Sequence, residues 1–170
     1  MKRSAFLIIL CIFSLFACSS QDSREWFETK EEAVDHGIRT SESGSPLKQL
    51  SMEEYQGETI VFYDYAGSLG VASISKSTKG YSWYRSNPYF GFESDGEMSY
   101  STAGFVLETE SGVKIPILYG KAIDPSIEKM KVFGDGPSRD LEISKHARFY
   151  YMIHEADYDQ LEITPVRFGE

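Results

Sequence analysis

Six aromatic side chains, an arginine and an asparagine fall within twelve residues, Tyr81-Ser82-Trp83-Tyr84-Arg85-Ser86-Asn87-Pro88-Tyr89-Phe90-Gly91-Phe92. Rings beside hydrogen-bonding groups suit stacking on a sugar or contact with a protein, because Trp, Tyr and Arg dominate interface energetics. The segment therefore nominates Trp83, Tyr84, Arg85, Tyr89 and Phe90 as ligand or partner contacts. The competing reading is that these rings fill the core of an aromatic-rich β domain, since large aromatics usually bury. Burial, ring by ring, separates the two.

Other chemistry-bearing residues are less specific. Carboxylates gather in Glu93-Ser94-Asp95-Gly96-Glu97 and around Asp135, Asp140 and Glu142. Neither stretch has the alternating oxygens and terminal carboxylate of a calcium loop, so both read as solvated turns. A hydrolase would need two carboxylates converging in a pocket, one raised by burial; Glu93, Asp95 and Glu97 are the candidates for that alternative. His36, His146 and His154 form no HxH or HExxH pattern. The last two bracket one predicted strand and stand about 26 Å apart along it, too far to share a metal. There is no GxSxG. Ser73-Ile74-Ser75-Lys76 and Ser126-Ile127-Glu128-Lys129 match only the bare SxxK spacing, and Gly134-Asp135-Gly136 reads as a turn rather than a phosphate cradle. No metal-ligand set and no cofactor motif is nominated.

The chain that must position these residues has 170 of them, 41% hydrophobic and 25% charged. That is room for one globular domain, and excludes a coiled coil or a collagen-like chain. A formal charge of −9 argues against nucleic acid or an anionic bilayer as the main partner, because both demand basic patches. With two cysteines, Cys11 and Cys18, disulfide stapling of a mature domain is not available.

Met1-Lys2-Arg3 is a basic start, and Ser4 to Phe16 an apolar run of signal-peptide length, short of the about 20 residues a membrane span needs. It stops abruptly at Leu15-Phe16-Ala17-Cys18-Ser19-Ser20. Leu15, Ala17 and Cys18 resemble the lipobox of bacterial lipoproteins, with Phe16 a departure from the usual smaller residue. The resemblance implies cleavage before Cys18 and a diacylglycerol on its thiol. Residues 1–17 are then a signal peptide, 18–25 a lipidated cysteine and polar tether, and 26–170 a single globular domain. Cleavage removes Cys11 and acylation consumes Cys18, which excludes a cysteine nucleophile. Six tether residues, Ser19 to Arg24, reach roughly 20 Å at full extension. The body resembles, in overall style, small lipoproteins of Gram-positive bacteria with no assigned activity.

Within the body, Thr29-Lys30-Glu31-Glu32 spells a capping box for a short helix through Ala33, Val34 and Ile38, with Trp26 and Phe27 placed to pack on it and Gly37 to stop it. Ser51-Met52-Glu53-Glu54 predicts a second helical turn. From Thr59 the period changes to two. Strands are expected over 59–65, 69–75, 80–85, 105–110, 113–119, 127–133, 141–143, 147–154 and 161–168. Residues 59–65 are apolar on both faces, as in a central strand. Ser111-Gly112 predicts a two-residue hairpin turn, and Pro116 an edge or bulged strand. The fold class is mainly β (α+β): an antiparallel sandwich or open barrel of about 7–9 strands with one short N-terminal helix.

The expected function is a non-enzymatic binding or interaction domain on the extracytoplasmic face of the cell membrane. It is held there by its N-terminal lipid and recognises an envelope protein or glycan. A cell-envelope hydrolase and a structural accessory subunit with a flat apolar patch are the alternatives.

Overall fold

The computed structural model describes residues 24–40, 47–92 and 98–169. Thr29 opens helix α1 (Lys30–Arg39) through the expected capping box: the Glu32 N–H donates to Thr29 Oγ1 and the Thr29 N–H to the Glu32 carboxylate, both at 3.2 Å. The helix continues to a Thr40 cap. Gly37 is therefore an interior residue and not the stop expected of it; the close approach of another element, given below, explains its missing side chain.

Among the described residues ten strands follow: β1 (Lys48–Tyr55), β2 (Glu58–Tyr65), β3 (Ser68–Ser77), β4 (Gly80–Tyr84), β5 (Tyr100–Glu108), β6 (Lys114–Ala122), β7 (Ile127–Phe133), β8 (Arg139–Glu142), β9 (Phe149–Ile153) and β10 (Glu162–Arg167). The class is mainly β and antiparallel, as expected, with one strand beyond the expected range. That strand is β1, where a helical turn is predicted. Ser51 and Glu54 fit a capping pattern, but residues Lys48 to Tyr55 pair with β2 in a ladder broken only by an irregularity between Gln49 and Ser51, and Glu54 accepts instead from Thr59 Oγ1 at 2.8 Å.

Three sheets result, ordered β1-β2-β3-β4, β5-β6-β9 and β10-β7-β8. The first is a meander whose first two turns, Gln56-Gly57 and Ala66-Gly67, hold positive φ at both positions. That is the twist-compatible hairpin geometry that favours glycine second. Alternation along β2 and β3 then splits the sheet into two apolar faces. Val61, Tyr63, Ala72 and Ile74 meet Ala33 and Val34 of α1. On the reverse, Ile60, Phe62, Leu69 and Val71 meet Leu107, Ile115, Ile117 and Phe149 of the second sheet. The second sheet is itself covered on its far face, where Leu118, Ala122, Tyr150 and Met152 pack on Ile127, Met130, Val132 and Leu141 of the third. The sandwich is thus a stack: helix, sheet, sheet, sheet.

Two local expectations change. The β5–β6 connection spans 109–113, closed by Thr109, whose Oγ1 accepts from the Val113 N–H at 3.1 Å. Pro116 lies in the central strand β6. Its carbonyl accepts from the His154 N–H at 3.2 Å, beyond the last β9 residue paired with β6. A residue's N–H and C=O point to the same neighbour in an antiparallel ladder, so the missing N–H faces His154, just past the end of β9, and costs only the terminal bond of that ladder.

Candidate functional site

Strand parity sorts the aromatic segment. Trp83 pairs with Ile74 and shares its face, toward α1, whereas Tyr84 pairs with Ser73 and faces the other way. Phe90 forms an isolated bridge to Leu69 with two 2.9 Å hydrogen bonds, and its ring packs 4.3 Å from Phe105 and 4.7 Å from Tyr119. Tyr84 and Phe90 therefore stand apart from the remaining candidates, Phe90 because its ring fills the junction between the first two sheets.

Trp83, Arg85 and Tyr89 converge. With Gly37, Thr40, Leu47 and Tyr63 they line a cleft of about 270 Å³ between the C-terminal end of α1 and the first sheet. The indole lies flat against Gly37, where a Cβ would overlap its ring atoms, and 5.4 Å from the Tyr63 ring. Tyr89 stacks on Tyr65 with centroids 4.3 Å apart. The Arg85 guanidinium sits 4.4 Å over the same Tyr89 ring. A parallel ring at 4.3 Å fills one face, so the guanidinium occupies the other. Arg85 also donates to the Asn87 carbonyl at 3.2 Å, and among the described residues no carboxylate pairs with it. Its planar cation is held in place by the Tyr89 ring and that carbonyl.

Tyr63, fully buried, completes the floor. It was missed in the sequence because it sits in an unbroken apolar run. Its hairpin register supplies the signal: Ala66-Gly67 sets Tyr63 opposite Gly70, and the ring lies over that glycine. Its Oη is buried and makes no hydrogen bond of full geometry, although Tyr89 lies close enough to interact with it. Burial pushes this phenol well above the ordinary tyrosine range, so it stays protonated.

The other nominated groups do different work. Cys18, Glu93, Asp95 and Glu97 lie outside the described residues. Asp135 is a latch and not a solvated turn residue: its Oδ1 accepts from the backbone N–H groups of Glu155 (2.9 Å) and Ala156 (2.8 Å), and Arg139 pairs with its other oxygen. Burial pushes its carboxyl up, but these donors outweigh it and hold it below the usual range. Asp140 pairs with Lys129 at 2.5 Å. His36 lies 3.1 Å from Glu25, and His154 is buried with Nδ1 2.8 Å from the Ala156 carbonyl. Among the described residues no three His, Cys, Asp or Glu side chains group as a metal site. Ser73 is buried and Lys76 exposed on opposite faces of β3, so that SxxK match is spacing without proximity.

Fold and cleft define the class of protein: a helix-covered stack of antiparallel sheets carrying an arginine-aromatic pocket. No family model, curated protein or solved structure matches the chain.

Proposed function

We propose that this is a binding domain held by an N-terminal lipid on Cys18 at the extracytoplasmic face of a cell membrane, recognising an envelope protein or glycan. The observation that carries the binding role is the convergence of Trp83, Arg85 and Tyr89 on one cleft above the unpartnered Tyr63 hydroxyl. A buried polar group without a partner costs free energy, roughly 1–3 kcal/mol, and a ligand that bonds it recovers that cost. The lipobox-like Leu15-Ala17-Cys18 supports the address. The short polar stretch ahead of Trp26 supports a domain held close to its bilayer. Palmitate labelling tests the anchor: label is lost in Cys18→Ala, and persistent label overturns it. Crosslinking with mass spectrometry tests the role. Trp83→Ala abolishes capture of the wild-type neighbour while the circular dichroism spectrum is unchanged; undiminished capture removes the cleft from the account.

One observation favours a carboxylate-dependent hydrolase as the second reading. Burial pushes the Glu53 carboxyl above its usual range, against the Ser51 hydroxyl and Arg139, and it opens on a cleft of about 600 Å³ shared with Asp135 and Glu155. Asp135 is already engaged, and so is Glu54, which also lines the cleft and accepts from Lys30 and Thr59; that leaves Glu155 as partner. Release of new reducing ends from envelope glycan, lost in both Glu53→Gln and Glu155→Gln, would install this reading in place of the first.

A further inference from the structure

We infer that the Trp83 cleft takes a small ligand through an oxyanion, a carboxylate or a phosphate, bound by Arg85 and Tyr63; the inference rests on the cleft being a binding site. Two donor-bearing side chains line one space. The guanidinium offers a planar fork matched to two oxygens of such a group, and it is stacked on Tyr89 and tied to the Asn87 carbonyl, so little side-chain freedom remains to be lost on binding. The Tyr63 hydroxyl lies at the floor, protonated, with only the nearby Tyr89 side chain to interact with and no hydrogen bond of full geometry.

The alternative of a neutral sugar stacked on the rings fits less well. Tyr65 and Arg85 occupy both faces of Tyr89, and Gly37 covers one face of Trp83. The Tyr63 ring, 5.4 Å from Trp83 and tilted 50°, crowds the indole further, whereas the guanidinium keeps N–H donors beyond the one given to Asn87. At about 270 Å³ the space lies just under the range for drug-sized ligands, which sets the occupant at the size of a single sugar acid or smaller. Orientation follows from α1. Its C-terminal end borders the cleft at Gly37 and Thr40 and carries the negative end of the helix dipole. The charged group is therefore placed away from that end, against Arg85 and Tyr63, with the uncharged remainder toward the rim.

The test is calorimetric titration of the full chain in detergent with acetate, glucuronate and inorganic phosphate, and with glucose as the neutral control. Saturable binding of glucuronate or acetate identifies a carboxylate ligand, and of phosphate alone a phosphate ligand; either supports the inference. Binding weakens at least tenfold in Arg85→Gln and in Tyr63→Phe. Tyr63→Phe removes only the unpartnered hydroxyl, so its melting temperature stays at or above wild type and separates lost binding from lost folding. No saturable oxyanion binding, or binding indifferent to both substitutions, overturns the inference. If glucose binds instead and only Trp83→Ala abolishes it, the cleft remains a binding site and the oxyanion is wrong.

Discussion

Gly37 shows how a single missing side chain shapes the cleft. The indole of Trp83 lies where its Cβ would be, so Gly37→Ala drives the ring off the helix. Overpacking costs about 1–3 kcal/mol, and the better helix propensity of alanine offsets about 1. Urea unfolding then shows a net loss of up to about 2 kcal/mol, with a shifted tryptophan emission. Asp135 makes the pH-dependent case. Its folded-state carboxyl is held low, so its contribution is present above the unfolded value of about 3.9 and lost as pH falls through the folded one. Asp135→Ala, which strips an acceptor from the Glu155 and Ala156 N–H groups, costs about 1–3 kcal/mol at neutral pH. In denaturation curves the gap to wild type narrows below about pH 4. Trp83, Arg85 and Tyr89 were legible as candidates because types and spacing alone nominate them. Which of the five candidates share a space was not, because that depends on strand parity and on Tyr63, a polar atom hidden in an apolar run.

Helix α1 is the element that walls the cleft, and its start is encoded locally. Thr29→Ala removes one half of a reciprocal cap and costs about 1 kcal/mol. Hydrogen exchange then rises in 30–39 and not in β2 or β3, whose amides are held by the ladder. The capping box was readable because its partners lie three residues apart. The same Ser-x-x-Glu signal at 51–54 misled, because the Glu54 oxygen is taken by Thr59 across a turn and by Lys30 of α1 at 2.6 Å. Long-range partners outbid a local pattern there. Pro116 carried the same lesson: the rule about lost donors holds, but the donor is lost on a side where β9 has ended.

The whole stack depends on joints between sheets as much as on the sheets. Arg148, at φ 59, donates from Nε to the Ala122 carbonyl at 2.9 Å and from Nη2 to those of Asp124 (3.1 Å) and Ile127 (2.8 Å). One side chain thus fixes the passage from β6 of the second sheet to β7 of the third. Arg148→Ala leaves three carbonyls to find other donors and costs roughly 2–3 kcal/mol, at the scale of a charged hydrogen bond. A lowered unfolding midpoint checks this. The antiparallel β class was legible in the regular spacing of short strands and turns. The third layer was not, although β6 is buried on both faces, because a strand covered on two sides does not state what covers it.

The approach of the chain to the first sheet has a mechanical meaning. Phe27 and Tyr81 exchange two backbone hydrogen bonds, 2.8 and 2.9 Å long, immediately before α1 begins. Tension applied at residue 24 meets the Arg24–Glu110 ion pair and the Lys79 contact on Trp26, then that backbone pair, and the next element in line is the helix that supplies Gly37 and Thr40. On the proposed binding role, load along the chain works against occupancy of the cleft, and a bound ligand resists it. Single-molecule stretching from residue 24, with and without a saturating ligand, reads this as a rise in the force at which α1 detaches. On that proposed role, the domain couples what it holds to how hard it is pulled.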